Sequence, residues 1–138
     1  MKMIIRFTVP GKPVGKGRPR KCDDGKMRTP LKTREYEETV RAYYEYTARG
    51  AYFRGRALNI TVRAYYPIPK SLTQSEIERI IKGELRPCVT PDGDNVLKVI
   101  ADALNGLAYD DDKNIVGWHL VKLYSEKPRV DIEIGDVM

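Results

Sequence analysis

An α+β fold is predicted, with one compact domain over residues 1–138 built as a mixed sheet of about four strands and about three helices. Three observations point there. Stretches of apolar alternation and stretches of helical spacing follow one another as strand, helix, strand, helix, helix, strand, strand, an order that suits a sheet carrying helices. A chain of 138 residues fits one domain and buries about two-thirds of its unfolded surface, enough for a real core. No internal repeat or low-complexity tract divides it.

The elements follow in chain order. From Lys2 to Val9, Met3, Ile5, Phe7 and Val9 alternate with Lys2, Ile4, Arg6 and Thr8, the period of a half-buried strand, and Pro10-Gly11 ends it. Residues 11–30 are rich in Gly, Pro and charge and lack apolar periodicity, so they are expected to be a mobile basic loop. Between Thr33 and Arg49, Tyr36, Val40, Tyr43, Tyr44 and Thr47 recur at helical spacing, with Gly50 as the stop. That aromatic stripe is expected to be core rather than a stacking platform for bases. Leu58 to Tyr66 alternates again and is ended by Pro67 and Pro69. Thr73 and Glu76 form a capping box, and Leu72 with Ile77 has the spacing of a hydrophobic staple, so a helix starts at Gln74 and stops at Gly83.

Pro91-Asp92-Gly93 is a turn signal, Asp94 or Asn95 can cap a helix, and Asn105-Gly106 can stop it, which leaves roughly ten helical residues between them. At about 100° per residue, Val96, Val99, Ile100, Ala103, Leu104 and Leu107 gather in one arc, with Asp94, Lys98, Asp102 and Asn105 opposite. One face packs and the other is free for chemistry. The β-branched and aromatic run Asn114–Tyr124 and the alternating Val130, Ile132 and Ile134 are two strands, expected to form a hairpin about Glu126-Lys127-Pro128. His119, beside Trp118, has no ligand cluster or nucleophile near it in sequence and reads as packed or surface.

Charge sharpens the picture. The net charge is +6, but residues 11–34 carry nine lysines and arginines against Asp23 and Asp24, whereas residues 91–114 carry six aspartates against Lys98 and Lys113. A cationic arm suits a polyanion such as nucleic acid, while a concentrated acidic site repels phosphate unless divalent cations neutralise it. The pairing suggests metal-dependent work on a nucleic-acid backbone. No apolar run approaches the ~20 residues of a membrane span, and Met1–Val9 does not read as a signal peptide, so a cytoplasmic protein with Cys22 and Cys88 as reduced thiols is expected.

The arm is not a nucleotide-binding phosphate loop, because only three residues separate Gly11 from Gly15 and Gly17 follows Lys16 where Ser or Thr is required; no nucleotide cofactor is expected. It reads either as a solvated loop or as a phosphate-gripping arm of Lys12, Lys16, Arg18 and Arg20. Asp92 and Asp94, separated by Gly93, can bend toward one point, and Asp112 can join them if the start of its strand packs on the helix. Three hard oxygen donors suit Mg²⁺, with Mn²⁺ able to substitute. Lys98, one turn after Asp94, can orient water or steady developing charge. A turn residue, a cap and a solvated acidic loop explain the same aspartates structurally. A calcium EF-hand does not, since Val96, Leu97 and Ala103 would fall where a donor, glycine and glutamate are needed.

Asp92-Gly93-Asp94-Asn95, Lys98, Asp102-Ala103-Leu104-Asn105-Gly106 and Asp111-Asp112-Lys113-Asn114 together resemble the RusA family of Holliday junction resolvases. Its hallmark is a D-x-D-N turn, a lysine four residues on, a D-A-L-N-G helix end and a D-D-x-Q/N close. The start VPGKPVGKGRPR is similar to that of many phage-type members. The resemblance implies a homodimeric, Mg²⁺-dependent endonuclease that cuts four-way DNA junctions in recombination and repair. Asp92, Asp94 and Asp112 would be metal ligands and Lys98 the catalytic cation. Asp102 also matches, with a helical position that equally allows pairing to Lys98.

Overall fold

The computed structural model describes residues 2–137 and shows the α+β architecture. A four-stranded sheet has the order β1 (Ile4–Pro10), β6 (Arg129–Asp136), β4 (Leu58–Pro67), β5 (Ile115–Ser125). Only β4 and β5 are parallel, so the sheet is mixed. Two helices, α1 (Leu31–Ala48) and α3 (Gly93–Leu104), pack against each other and cover one face of the sheet, α1 lying on β1 and α3 on β5. The third, α2 (Gln74–Ile81), begins at the expected Thr73–Glu76 capping box and buries no residue. None of the described helices is long and apolar enough to cross a membrane.

Alternation determines which face is covered. Ile60 lies level with Ile134 on one side and Trp118 on the other, and Ile132 sits between Phe7 and Val62, so the inward positions of β1, β6 and β4 form a continuous apolar layer. Tyr36, Val40 and Tyr44 of α1 close over it, with the Tyr44 ring edge-on to Phe7 at 5.6 Å and its hydroxyl donating to the Ala51 carbonyl. Tyr43 and Thr47 of the same stripe turn outward, so only part of it is core. On the opposite face Arg6 pairs with Glu133, Thr8 donates to Asp131, and the Arg129 guanidinium lies 3.9 Å from the centre of the Tyr65 ring.

Four expectations are corrected. β5 and β6 are not a hairpin: β4 runs between them, and Glu126–Pro128 carries the chain past the end of β4 at Pro67. The order agrees with burial, since Val130, Ile132 and Ile134 of the inner strand β6 are all enclosed, while the edge strand β5 leaves Val116 and Trp118 exposed. The α3 helix starts at Gly93, with Asp92 at the cap position and no side-chain capping bond, which puts Asp94 inside the first turn. The α1 helix begins at Leu31, and Arg49 and Gly50 both take positive φ at its end. Residues 11–30 are not loop throughout: a short hairpin of β2 (Arg20–Lys21) and β3 (Met27–Arg28) follows a first half hydrogen-bonded to Asn95 and Thr33.

The site helix is held by its buried side, where Ile100 is completely enclosed. Ile100→Ala is therefore expected to cost about 2–5 kcal/mol, read as a lower urea midpoint at unchanged slope. A loss below about 1 kcal/mol would show that this face is not the packed one.

Candidate active site

Burial of Val96, Val99, Ile100, Ala103 and Leu104 rotates α3 so that Asp94, Lys98 and Asp102 line its outer side at successive turns. The chain enters this helix through a braced loop. The Tyr66 hydroxyl donates to the Pro91 carbonyl at 2.5 Å, and the Lys122 ammonium donates to the Val89 carbonyl at 2.6 Å while lying over the Tyr66 ring. Burial, with the Asp92 charge adding to it, pushes the Tyr66 phenol up to about 12. Between the two acids, a Cβ on Gly93 would come within 2.9 Å of a Leu120 methyl, so glycine lets the aspartate turn lie flat against β5. Asp92 and Asp94 are both exposed.

A second acidic element closes on the far half of α3. Buried Tyr109 donates to the Ala101 carbonyl at 2.7 Å and ties the acidic run to the helix. Of that run, Asp110 accepts from the Tyr52 hydroxyl and Asp111 accepts the Asp112 backbone N–H at 2.9 Å, capping a 3₁₀ turn over Asp112–Asn114. The Asp112 carboxyl is raised above its ordinary range by burial first, then by the hydrogen bond and charge of Asp111 and the charge of Asp102, with Lys98 opposing. Asp102, Asp111, Asp112 and Lys98 thus share one electrostatic neighbourhood. The Asn114 side-chain oxygen beside them is buried without a hydrogen-bond partner.

The arm meets this cluster through one residue. The Lys16 ammonium sits 3.1 Å from Asp102 Oδ2 and 3.3 Å from Glu37 Oε2, and the Lys98 ammonium lies 3.7 Å from the same Asp102 oxygen. Burial pulls the Lys16 pKa down, but its hydrogen bonds and the charges of Asp102 and Glu37 together outweigh that, and the net direction is up. Of the arm cations expected to grip phosphate, Lys16 is the one already engaged by two carboxylates, and its side chain is only 17% exposed. Lys12, Arg18 and Arg20 are exposed as expected.

Arg18 and Arg20 line an open cleft of about 570 Å³ together with Lys32, Thr33, Thr90 and Pro91, immediately before Asp92. Lys32, Glu37 and Tyr66 went unrecognised in the sequence, where the first two are ordinary charges at a helix start and Tyr66 is one more inward strand position. The exposed His119 takes no part, and Cys22 and Cys88 are free thiols.

In kind, the donors fit a hard divalent cation, being carboxylates with an unpartnered amide oxygen nearby. In arrangement they form two groups, Asp92 and Asp94 at the start of α3 and Asp112 against Asp102 and Asp111 further along. Among the described residues, no three His, Cys, Asp or Glu side chains converge as a metal-holding set.

The family model described as "Endodeoxyribonuclease RusA" matches residues 10–135, which include the arm, α3, the acidic turn, β4, β5 and all but the last residue of β6, and only the last residue of β1. An uncharacterized protein of Bacillus subtilis (strain 168), YqaN, is 40% identical over 138 aligned residues, covering 96% of each chain. With the D-x-D-N turn, the lysine and the acidic close all on one side of α3, the chain belongs to the RusA endodeoxyribonuclease family.

Proposed function

We propose that the protein is a Mg²⁺-dependent endonuclease that cuts four-way (Holliday) DNA junctions as a two-fold homodimer. The observation that carries this reading is the outer face of α3. Asp94, Lys98 and Asp102 stand in line there, with Asp92 at the entry and Asp112 beside the far half, in a chain of an endodeoxyribonuclease family. Asp92 and Asp94 at the start of α3 are the residues that would hold the metal, with Asp112 completing the set if the acidic turn draws in toward them, and the bound metal would polarise a phosphoryl oxygen and lower the pKa of water.

The chain's own residues supply the rest. The cleft of Arg18, Arg20 and Lys32 grips a strand by its phosphates and leads it toward Asp92. Lys98, 60% exposed, is free to reach the scissile phosphate and steady its developing charge or orient the attacking water. Hydrolysis leaves a 5′-phosphate and a 3′-hydroxyl. One chain offers one such face, while resolution needs cuts in two opposed strands, and a closed two-fold dimer supplies two faces at a fixed spacing.

Incubation of labelled four-way junctions, flaps and linear duplex with protein and Mg²⁺ tests the reading, and paired cuts in junctions alone are the expected result. Asp92→Asn and Asp94→Asn are expected to abolish cutting yet keep or strengthen junction binding, since each removes a ligand and a negative charge near phosphate. A dimer of one intact and one Asp94→Asn chain then nicks a single strand. Bilateral resolution by that mixed dimer in one binding event, or cutting by either variant at the normal rate, sinks the assignment.

Lys98→Ala is expected to lower single-turnover cleavage by ~10²-fold or more, the scale for losing one transition-state donor. An unchanged rate at saturating protein would leave Lys98 a surface partner of Asp102.

Arg18→Ala and Arg20→Ala should each flatten the slope of log affinity against log salt by about 0.9 on duplex arms, one phosphate contact apiece. Unaltered slopes would return the arm to plain solvated charge.

A further inference from the structure

Two lysines reach for a single oxygen of Asp102. Lys16, from the arm, is the nearer at 3.1 Å and is enclosed, whereas Lys98, from the same helix as Asp102, is at 3.7 Å and mostly in solvent. Glu37, from α1, holds Lys16 from its other side at 3.3 Å. Of these four side chains two are positive and two negative, with Asp111 and Asp112 adjoining Asp102 and with Arg34 and Arg41 sharing a shallow pocket with Glu37 and Asp102.

The bland account of Lys16 is that its ion pairs fasten the arm to the helices. The backbone already does that fastening. The Lys16 N–H donates to the Asn95 carbonyl at 2.9 Å, and the Gly17 N–H donates to Thr33 Oγ1 at 3.0 Å. Gly15 fits so closely that an added Cβ would lie 2.8 Å from Pro91 Cβ and 3.2 Å from Asn95 Cβ. The ammonium is surplus to this seating, and its placement against Asp102 calls for a different role.

We infer that Lys16 is a positioning residue: it takes up the charge of Asp102, so that Lys98, four residues before Asp102 on the helix, stays loosely held and free to meet the phosphate. Without Lys16, Asp102 loses the nearer of its two lysines. The i,i+4 spacing of Lys98 and Asp102 then lets the carboxylate draw Lys98 into a full ion pair. Arm and catalytic cation are thereby coupled through a carboxylate that need touch neither metal nor DNA. The inference rests on the reading of Lys98 as the catalytic cation.

Lys16→Met removes the charge and keeps the apolar stem. At saturating protein it is expected to lower single-turnover cleavage about tenfold, a coupling of the size found between contacting charges. The salt slope of junction binding stays unchanged, because no phosphate contact is lost. In a Lys98→Ala background the same change costs nothing further, and Lys16→Met/Asp102→Asn recovers most of the rate. The Nζ signal of Lys98 in ¹⁵N-resolved spectra, which needs no activity, shifts in Lys16→Met and returns in the double variant. Should Lys16→Met fold poorly, Lys16→Gln, able to hydrogen-bond both carboxylates, takes its place with the same outcomes expected.

An undiminished rate in the single variant, an equal further loss in the Lys98→Ala background, or a slope flattened by about 0.9 overturns the inference. So does an unmoved Lys98 signal. A wild-type chain that leaves junctions uncut while the Lys98 signal still moves faults the functional reading and spares the coupling.

Discussion

The burial of one side of α3 fixes the helix in rotation, and that single constraint decides what every charged residue on it can do. With Ile100 and Leu104 locked between α1 and the sheet, Asp94, Lys98 and Asp102 have only the solvent side available. Turning the helix by one residue, about 100°, would bring the acids into the apolar layer, where unpaired charge is prohibitive. The acidic turn depends on the same packing, since Tyr109 reaches back to the Ala101 carbonyl inside the core. Stability and geometry are therefore one problem in this protein.

Periodicity made most of this legible. The inward residues of β1, β4 and β6, the two sides of α3 and the Thr73–Glu76 cap all follow from local pattern, because local pattern is what decides them. Strand order does not, and the reason shows in β5 and β6. An alternating strand next to a turn looks the same whether it pairs with its predecessor or crosses beyond it, and the choice rests on the non-local pairing of β6 with β1 and β4, which local pattern does not carry. The site divides along the same line. Asp92, Asp94, Lys98 and Asp112 stood out by type and spacing. Glu37 and Lys32 acquire meaning only when α1 is laid beside the arm, a juxtaposition of residues far apart in the chain.

Charge is sorted with some economy around the aspartate turn. Arg18, Arg20 and Lys32 collect on the approach, while the acids collect on α3 and the turn that follows it. On the far side of the sheet charges pair with one another, Arg6 with Glu133 and Arg129 with Asp131. The cleft that opens beside Asp92 presents three cations, Arg18, Arg20 and Lys32, and none of its described lining residues is acidic.

The seating of Gly15 has a mechanical consequence. With its α-carbon close against the Pro91 ring and the Asn95 side chain, and the next residue bonded to the Asn95 carbonyl, the arm and the aspartate turn are two parts of one rigid piece. On the proposed function, tension applied at Arg18 by a bent or branched strand would be passed on to Asp92 through these contacts. The shape of a polymer held in the cleft and the alignment of the groups proposed to break it would then be a single variable, so that a poorly fitting strand would be disfavoured at the point of cutting and not only at the point of capture.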